Sequence, residues 1–457
     1  MTKDELFYKQ KNIYEIVSEA ETGLIYDFAE GYKKYIAASK TERLAVKEAV
    51  KLAEARGFVP YVFGSKLKAG DKVYFNNRGR ALMLAVIGSQ PLSSGINLAA
   101  AHVDSPRLDL KQVPLYEDSE MAFFKTHYYG GIKKYQWLTI PLELHGVVVK
   151  KDGSIVDVSI GDKAGEPQFV ITDLLPHLGS DQMKKNAAEF VPGESLNILI
   201  GSRPDKEEGD NKVKLTVMKL LNEKYGIIEE DFLSAELSAV PAFEVRDIGF
   251  DRSLIGAYGH DDRVCAYSEL MAILEVSSPK KTAVCLLVDK EEIGSEGVSG
   301  MIAQSFDRFM ESLCSMQGVN LYDCFASSFC LSADVCNAFD PNYPEVSEKR
   351  NNAKINYGVA IMKYTGSRGK SGSNDASAEV MGKLRQIFAA GNVIWQTGEL
   401  GKVDQGGGGT VAKYTAKRDI DTVDAGVPVL SMHAPYEVIS KADLYMTYKG
   451  VLALYND

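Results

Sequence analysis

Histidine and acidic residues that directly follow apolar segments are the first candidates for chemistry in this sequence. His102 ends the run INLAAAH and is followed by Asp104, and the adjacent pair Glu291 and Glu292 comes shortly after the run TAVCLLV. A histidine two residues from a carboxylate suits a metal ligand with a partner that orients it. Two glutamates at the end of a buried strand are costly without a bound cation. One of them therefore fits a metal ligand and the other a group that transfers protons, with a solvated acidic loop as the alternative.

Three further segments extend this set. GHDDR supplies His260, Asp261 and Asp262 before an amphipathic segment, although an acidic helix start is the alternative there. Asp334 follows the apolar segment SSFCLSA, and His433 follows GVPVLSM. With the two earlier positions, these residues give a mixed nitrogen and oxygen donor set. Such a set fits two Zn²⁺, Mn²⁺ or Co²⁺ ions bridged by a carboxylate, and it fits Mg²⁺ or Ca²⁺ less well.

A run of four glycines is the remaining candidate for substrate contact. Gly406, Gly407, Gly408 and Gly409 carry no side chains, so a substrate could approach the backbone closely there. A flexible loop is the alternative, and the run lacks the Gly-Lys-Ser/Thr ending of a phosphate loop. The six cysteines include no C-x-x-C pair, and we interpret them as buried reduced thiols without a chemical role.

The elements that must position these residues change in character along the chain. Apolar spacing predicts helices from Leu6 to Ala38 and from Thr41 to Arg56. A hairpin with a turn at Asn77-Arg78-Gly79 follows, and after Phe250 strands alternate with helices. The pattern predicts an α/β fold with a three-layer helix/sheet/helix domain that is split by an inserted β-rich domain. The predicted parts are residues 1–110 (first part of the split domain), 111–245 (inserted domain) and 246–457 (second part of the split domain).

Composition excludes several classes of protein. The 457 residues include 52 Lys and Arg against 62 Asp and Glu, a formal net charge of −10, which argues against nucleic-acid binding. Hydrophobic residues make up 45% of the chain, as in a folded globular protein. Its apolar runs are far shorter than the roughly 18–20 residues that span a bilayer. The polar N-terminus lacks an apolar signal core, so we expect no membrane partner and a cytoplasmic location.

Seven motifs in the same order resemble those of the aspartyl aminopeptidase family of dinuclear-zinc metallopeptidases. They are AAHVDSPRL, LLPHL, GHDDR, DKEEIGS, SADV, GGGGT and SMHAPYE, and the resemblance runs over nearly the whole chain. The resemblance implies five metal ligands: His102, Asp261, Glu292, Asp334 and His433. It further implies that Asp261 bridges two zinc ions, with manganese or cobalt as the alternative metals. Glu291 would be the general base, and Asp104 would orient the His102 side of the site. The resemblance also makes the split domain, residues 1–110 and 246–457, the catalytic one.

The same resemblance implies an assembly and a substrate class. His177, in LLPHL, matches the family histidine that reaches from the inserted domain of one subunit into the active site of a neighbour. The inserted domain would form dimers, and six dimers would form a tetrahedral dodecamer with enclosed active sites. The implied activity removes single N-terminal residues, such as Asp or Glu, from peptides with a free N-terminus.

Departures from the family pattern leave alternatives for the specificity. Asp262 stands where better-known members carry Asn, and the segments KSGSNDA and VDQGGGG also differ. A tetrahedral aminopeptidase of broad or basic specificity is therefore the closest alternative. A two-metal phosphoesterase and a scaffold without catalysis are the more distant alternatives.

Overall fold

The computed structural model describes residues 1–457, with Asp4 described by its backbone alone. The chain forms two compact units. The first contains Met1–Asp104, Val245–Met432 and Glu437–Asp457, and the second contains Ser105–Glu244 and His433–Tyr436. In chain order, the second unit is therefore inserted directly after Asp104, and a four-residue segment near the C-terminus also belongs to it.

Helices occur in both units and differ widely in length. In chain order they are α1 (Lys3–Leu6), α2 (Glu19–Ala38), α3 (Glu42–Glu54), α4 (Ala187–Phe190), α5 (Lys212–Tyr225), α6 (His260–Glu275), α7 (Ser305–Ser315), α8 (Leu321–Ala326), α9 (Ala378–Ala390), α10 (Ala412–Ala416) and α11 (Lys441–Tyr455). Of these, α4 and α5 belong to the second unit. No described helix has both the length and the apolar character needed to cross a membrane.

The strands form three separate sheets. In chain order they are β1 (Val59–Pro60), β2 (Lys72–Asn77), β3 (Ala81–Val86), β4 (Ile96–His102), β5 (Arg107–Asp118), β6 (Met121–Tyr129), β7 (Leu142–Val149), β8 (Ile155–Ile160), β9 (Ile198–Gly201), β10 (Ala235–Pro241), β11 (Arg246–Ile248), β12 (Leu254–Ala257), β13 (Thr282–Val288), β14 (Phe329–Ser332), β15 (Cys336–Asn337), β16 (Val359–Met362), β17 (Trp395–Thr397), β18 (Asp421–Gly426), β19 (Pro428–Leu430) and β20 (Glu437–Ser440).

The first unit is organised around a nine-stranded sheet with the order β1-β2-β3-β13-β4-β14-β18-β16-β17. Its four central strands, β13, β4, β14 and β18, run parallel to one another. Strands β2 and β3 form the predicted antiparallel hairpin, and Arg78 and Gly79 in its turn adopt positive φ angles of 60° and 69°. The predicted α/β class is confirmed, with the carboxyl ends of the parallel strands at one edge of the sheet.

Helices cover both faces of this sheet, because its strands are apolar on both sides. In β3, Leu82 and Leu84 belong to one buried cluster, which also includes residues of α2, α3, α6, α9 and α11. Met83 and Ala85 belong to a second cluster on the opposite face, with residues of α7, α8 and α10. Successive strand residues point to opposite faces, so a strand buried on both sides reads as a continuous apolar run. The three-layer arrangement of the first unit follows.

The first predicted helix is wrong over its N-terminal part. The helix begins at Glu19 rather than near Leu6, because the Ser18 side chain accepts a hydrogen bond from the backbone N–H of Glu21 at 3.2 Å and caps it. Ser-x-x-Glu is a helix start signal that apolar spacing alone does not register. The second helix is confirmed as α3, with Thr41 as its N-cap.

Two further sheets complete the fold. The second unit contains an antiparallel six-stranded sheet with the order β8-β7-β10-β5-β6-β9, in keeping with a β-rich segment. The first unit contains a small five-stranded sheet, β11-β12-β20-β19-β15, which the sequence did not predict. Its strands are only two to four residues long, too short to show a clear alternation. All six cysteines are buried and free within the described chain.

Candidate metal centre

The candidate residues of the first unit lie where its central parallel strands end. His102 is the last residue of β4, and it is in register with Val288, the last residue of β13. A short 3₁₀ helix, Glu291–Ile293, follows β13. On the other side of β4, β14 ends at Ser332, two residues before Asp334. The parallel direction of these neighbouring strands brings the three segments to one edge of the sheet, as the sequence predicts.

Asp261 reaches the same edge from the start of α6. Gly259 precedes this helix with a φ of 77°, a left-handed conformation that favours glycine, and the peptide bond between Asp261 and Asp262 is cis. The backbone N–H of Asp261 donates to the Glu437 carboxylate at 3.0 Å. Both aspartates are buried, so the acidic residues of GHDDR are not simply a solvated helix start.

The His102 imidazole lies among these carboxylates. Its Nε2 atom is 3.2 Å from a carboxylate oxygen of Asp261, 3.9 Å from one of Asp334 and 4.0 Å from one of Glu291. Potential ligand atoms of His102, Glu291 and Asp334 all lie within 4.8 Å of one another, and the same holds for Asp261, Asp262 and Asp334. Nitrogen and oxygen donors at such separations can share a metal ion.

Buried like charges dominate the electrostatics of this cluster. Burial raises the pKa of Asp262 well above its usual value, and the charge of Asp261 adds to the rise. Burial and the charge of Asp262 likewise raise the pKa of Asp334. Burial lowers the pKa of His102, but Asp104 and Asp261 outweigh it and hold that pKa well above the usual value. Carboxylates held together out of water need a positive partner, so these residues fit divalent cations and suit zinc.

Asp104 connects two segments of the centre. Its carboxylate oxygens accept the backbone N–H groups of Glu291 at 3.1 Å and Glu292 at 3.2 Å. The same carboxylate is 3.4 Å from His102 Nδ1, whose nearer neighbour is the main-chain oxygen of Asp104 at 3.0 Å. Asp104 is completely buried. The Asp104 side chain therefore faces His102 and also fixes the turn that carries Glu291 and Glu292.

The two remaining histidines of the predicted site belong to the second unit. His433 Nδ1 lies 2.7 Å from the main-chain oxygen of Gly131. A Cβ atom at Gly131 would come within 3.5 Å of that nitrogen, so a small residue suits this contact. His177 is exposed in the segment between β8 and α4, beside the exposed leucines at positions 174, 175 and 178. An exposed histidine among exposed leucines is unusual for a segment that packs only within its own unit.

The four glycines have a structural explanation in the first unit. A Cβ atom at Gly406 would lie 1.7 Å from the Leu400 main-chain oxygen, and one at Gly407 would lie 1.8 Å from that of Gly366. Gly407 also has a φ of 109°. The run therefore permits two loops to pack closely against each other, so any role in substrate contact stays a prediction.

Two buried carboxylates near the centre were not singled out from the sequence. Glu437 accepts the N–H of Asp261, as described, and it ends the quoted motif SMHAPYE. Asp424 is 1% exposed in the middle of β18, where burial and the nearby charge of Glu291 raise its pKa to about 7. A lone Asp inside the apolar segment TVDAGVPVL is the signal that could have revealed it.

An α/β sheet with histidine and carboxylate side chains grouped at the carboxyl ends of its parallel strands is typical of metallohydrolases. Comparison with known proteins narrows the class. The chain belongs to the M18 family, because the family described as aminopeptidase I zinc metalloprotease (M18) matches residues 35–455. It is therefore an aminopeptidase, a hydrolase that acts on peptides, and the phosphoesterase and scaffold alternatives are set aside.

Close relatives support this assignment over the whole chain. A probable M18 family aminopeptidase 1 from Clostridium acetobutylicum is 50% identical, covering 99% of this chain and 100% of its own. The crystal structure of an M18-family aminopeptidase from Thermotoga maritima matches with a TM-score of 0.94 at 44% identity, over 98% of this chain and 100% of that one. The crystal structure of aminopeptidase I from C. acetobutylicum matches with a TM-score of 0.93 at 47% identity, over 99% and 100%.

Proposed function

We propose that the chain removes single N-terminal residues from peptides with two divalent metal ions, most simply zinc, and a glutamate base. The ligands in this proposal are His102, Asp261, Glu292, Asp334 and His433, with Asp261 as the bridge. The observation that carries the proposal is the buried group of His102, Asp261 and Asp334 at the sheet edge, with Glu291 beside it. When bound, the ions supply Lewis acidity, which lowers the pKa of a bound water molecule to near neutral pH and polarises the scissile carbonyl.

The residues of the chain then have separate tasks. Glu291 accepts the proton of the attacking water and passes it to the leaving amine, because its side chain is 18% exposed and can meet a water molecule at the edge of the buried cluster. Asp104 holds the main chain of Glu291 and Glu292, so the base keeps its place relative to His102. Positioning of this kind matters for the rate, because a displacement of about 1 Å can slow catalysis by roughly 10²-fold.

The second unit contributes to the assembly in this proposal. We assign it the dimerisation role, and the exposed leucines around His177 support a surface that a second copy covers. His177 of the partner subunit would donate a hydrogen bond to the oxyanion of the tetrahedral intermediate. Dimers would combine into a dodecamer with enclosed active sites, and short peptides would be its substrates. Six buried thiols fit a cytoplasmic location.

An acidic N-terminal residue is the substrate preference that we propose. Arg368, Lys370 and Lys402 line a small cavity of about 50 Å³ together with Gly406 and Gly407 of the four-glycine run. Basic side chains beside the predicted substrate loop would attract the carboxylate of an N-terminal Asp or Glu. Glu399 and Asp404 also line this cavity, which keeps broad or basic specificity as the alternative.

Metal removal and replacement tests the proposed function. Dialysis against a chelator is expected to abolish peptidase activity, because no Lewis acid then remains to activate water and to polarise the scissile carbonyl. Zn²⁺, Mn²⁺ or Co²⁺ should restore release of one N-terminal residue from aminoacyl-p-nitroanilides and short peptides, with saturation at two ions per chain. Highest rates with Asp or Glu in front would support the acidic preference, and highest rates with Leu, Met or Lys would replace it. No release with any metal would overturn the proposal.

Substitution of His177 tests the contribution across subunits. His177→Phe is expected to leave the oligomer intact and to lower kcat by roughly 10²-fold, as loss of one oxyanion donor does. Size-exclusion chromatography with light scattering and steady-state kinetics measure the two effects. His127→Phe is the matched control, because His127 is also an exposed histidine of the second unit. Full turnover in His177→Phe would remove this residue from the site.

A further inference from the structure

Arg263 is a buried arginine just beyond the candidate ligand Asp261, and its side chain is only 1% exposed. Its Nε donates to the main-chain oxygen of Val103 at 3.1 Å, and its Nη2 donates to that of Lys40 at 3.2 Å. The guanidinium carbon lies 5.3 Å from the centre of the Tyr258 ring. Nη1 is buried without a hydrogen-bond partner among the described residues.

A buried guanidinium of this kind is costly to keep. Removing a cation from water carries a large penalty unless good hydrogen bonds replace the lost hydration, and one of its nitrogens makes none. The hydrogen bonds that Arg263 does make end on main-chain carbonyl groups of two separate segments, at Lys40 and Val103. The arginine therefore restrains the position of the main chain at Lys40 and Val103.

Val103 occupies a central place in the metal centre. It lies between His102 and Asp104, and its N–H donates to the main-chain oxygen of Val288, at the end of β13, at 2.9 Å. The next residue, Asp104, holds the turn with Glu291 through its carboxylate. Because Val103 is fixed on its N–H side by β13, a donor on its carbonyl side completes the restraint on the segment that carries the histidine. Arg263 supplies that donor from the start of α6.

We propose that Arg263 is a positioning residue for the metal centre, which sets the relative placement of His102 and Asp261. Both residues are close in sequence to the groups that this hydrogen bond joins. Asp261 is two positions before Arg263, and His102 immediately precedes Val103, whose carbonyl group accepts the hydrogen bond. The inference rests on the proposed function, in which these two side chains are ligands. A lysine would keep the charge, but its single nitrogen lacks the rigid fork that reaches two carbonyl groups in different directions.

Cobalt binding by the full-length protein tests this role without relying on activity. Apo wild type, Arg263→Lys and the control Arg418→Lys are titrated with Co²⁺ against a competing chelator, and the absorption spectrum of each Co²⁺ form is recorded. Arg418 is a matched control, because it also donates to main-chain carbonyls, those of Tyr414 and Met301, besides its pairing with Asp307. We expect Arg263→Lys to raise the Co²⁺ Kd by about 10- to 100-fold and to shift the absorption bands. Arg418→Lys should keep the wild-type Kd and spectrum.

The outcomes separate this inference from the proposed function. Wild-type protein without a stoichiometric Co²⁺ site would overturn the proposed function and this inference with it. Wild-type binding together with an unchanged Kd and spectrum in Arg263→Lys would overturn the positioning role alone. Arg263→Gln, which keeps one donor without the charge, serves as a second variant. Failure of both variants to fold at low temperature would also overturn the role, since Arg263 would then act on folding rather than on the metal centre.

Discussion

Glu291→Gln is expected to lower kcat by roughly 10²–10⁴-fold, the range for loss of a general base, while metal binding is retained. Glutamine keeps the size of the side chain and the backbone N–H that donates to Asp104 at 3.1 Å, but it cannot accept the proton of water. The Glu291 carboxylate is 4.0 Å from His102 Nε2, close enough to accept a proton from a water molecule that is held beside His102. Steady-state kinetics and metal analysis of the same preparation measure the two effects.

Glu296→Gln is the matched control for this variant. Glu296 is exposed and lies five residues further along the same segment, so it has the same chemistry without contact with the buried cluster. Its kcat is expected to stay near that of the wild type. Near-normal turnover in Glu291→Gln would exclude the residue as the base, and loss of bound metal would show that it acts as a ligand instead.

Asp247→Asn is expected to destabilise the first unit by about 3–5 kcal/mol, because it breaks a buried ion pair on one side only. The Asp247 side chain is 7% exposed and accepts Lys441 at 3.0 Å, Lys33 at 2.9 Å and Arg252 at 2.8 Å. Lys441 is 1% exposed, so its ammonium group cannot regain water when the carboxylate is removed. Urea unfolding measures the change as a lower midpoint at an unchanged slope.

The pH dependence of that stability follows from the pKa of Asp247. Burial raises this pKa, but the hydrogen bonds from Lys33, Lys441 and Arg252 outweigh it and lower the pKa to about 2 from 3.8. A depressed carboxyl pKa gives stability that is complete above the unfolded-state pKa and is lost as pH falls toward the folded-state value. The difference between wild type and Asp247→Asn should therefore be constant above about pH 5 and shrink between about pH 4 and pH 2.

An exposed pair in the same unit provides the control for Asp247. Glu48 pairs with Lys51 at 3.0 Å on the surface of α3, and the lysine is 74% exposed. Glu48→Gln should cost less than about 1 kcal/mol, as exposed ion pairs do. Equal effects of the two substitutions would contradict the assignment of Asp247 as the counter-charge of a buried lysine.

The strand ends of the candidate metal centre could be predicted from the sequence, because each one is a change from apolar residues, which are buried, to a polar residue. An apolar run indicates a buried strand, and the polar residue at its end indicates the edge of the sheet. His102 after INLAAA and Asp334 after SSFCLSA are the two examples. The parallel sheet then brings such ends together whatever their separation along the chain. The α/β class and the candidate ligands His102 and Asp334 could be predicted in this way.

Other residues of the same region could not be predicted, because their partners are distant in sequence. Arg263 is part of the motif GHDDR, but its partner at Lys40 lies 223 residues away. Asp424 interrupts an apolar strand, but a single aspartate in a sequence does not indicate which groups its side chain faces. The contacts of Gly406 and Gly407 with other loops are equally invisible to composition, which suggested substrate approach instead. Periodicity reports burial, and it does not report the identity of long-range partners.

The scatter of the metal centre along the chain also bears on how the protein is made. His102, Asp261, Glu291 and Asp334 meet only when strands from distant parts of the sequence have paired. In the proposed five-ligand set, a chain still emerging from the ribosome lacks a donor until His433 has been synthesised. Non-local pairing of this kind is slow, and a site of this kind does not exist in the unfolded chain. The proposed metal site would therefore form only together with the fold, and a bound metal would stabilise the folded chain, so that metal supply would affect stability as well as activity.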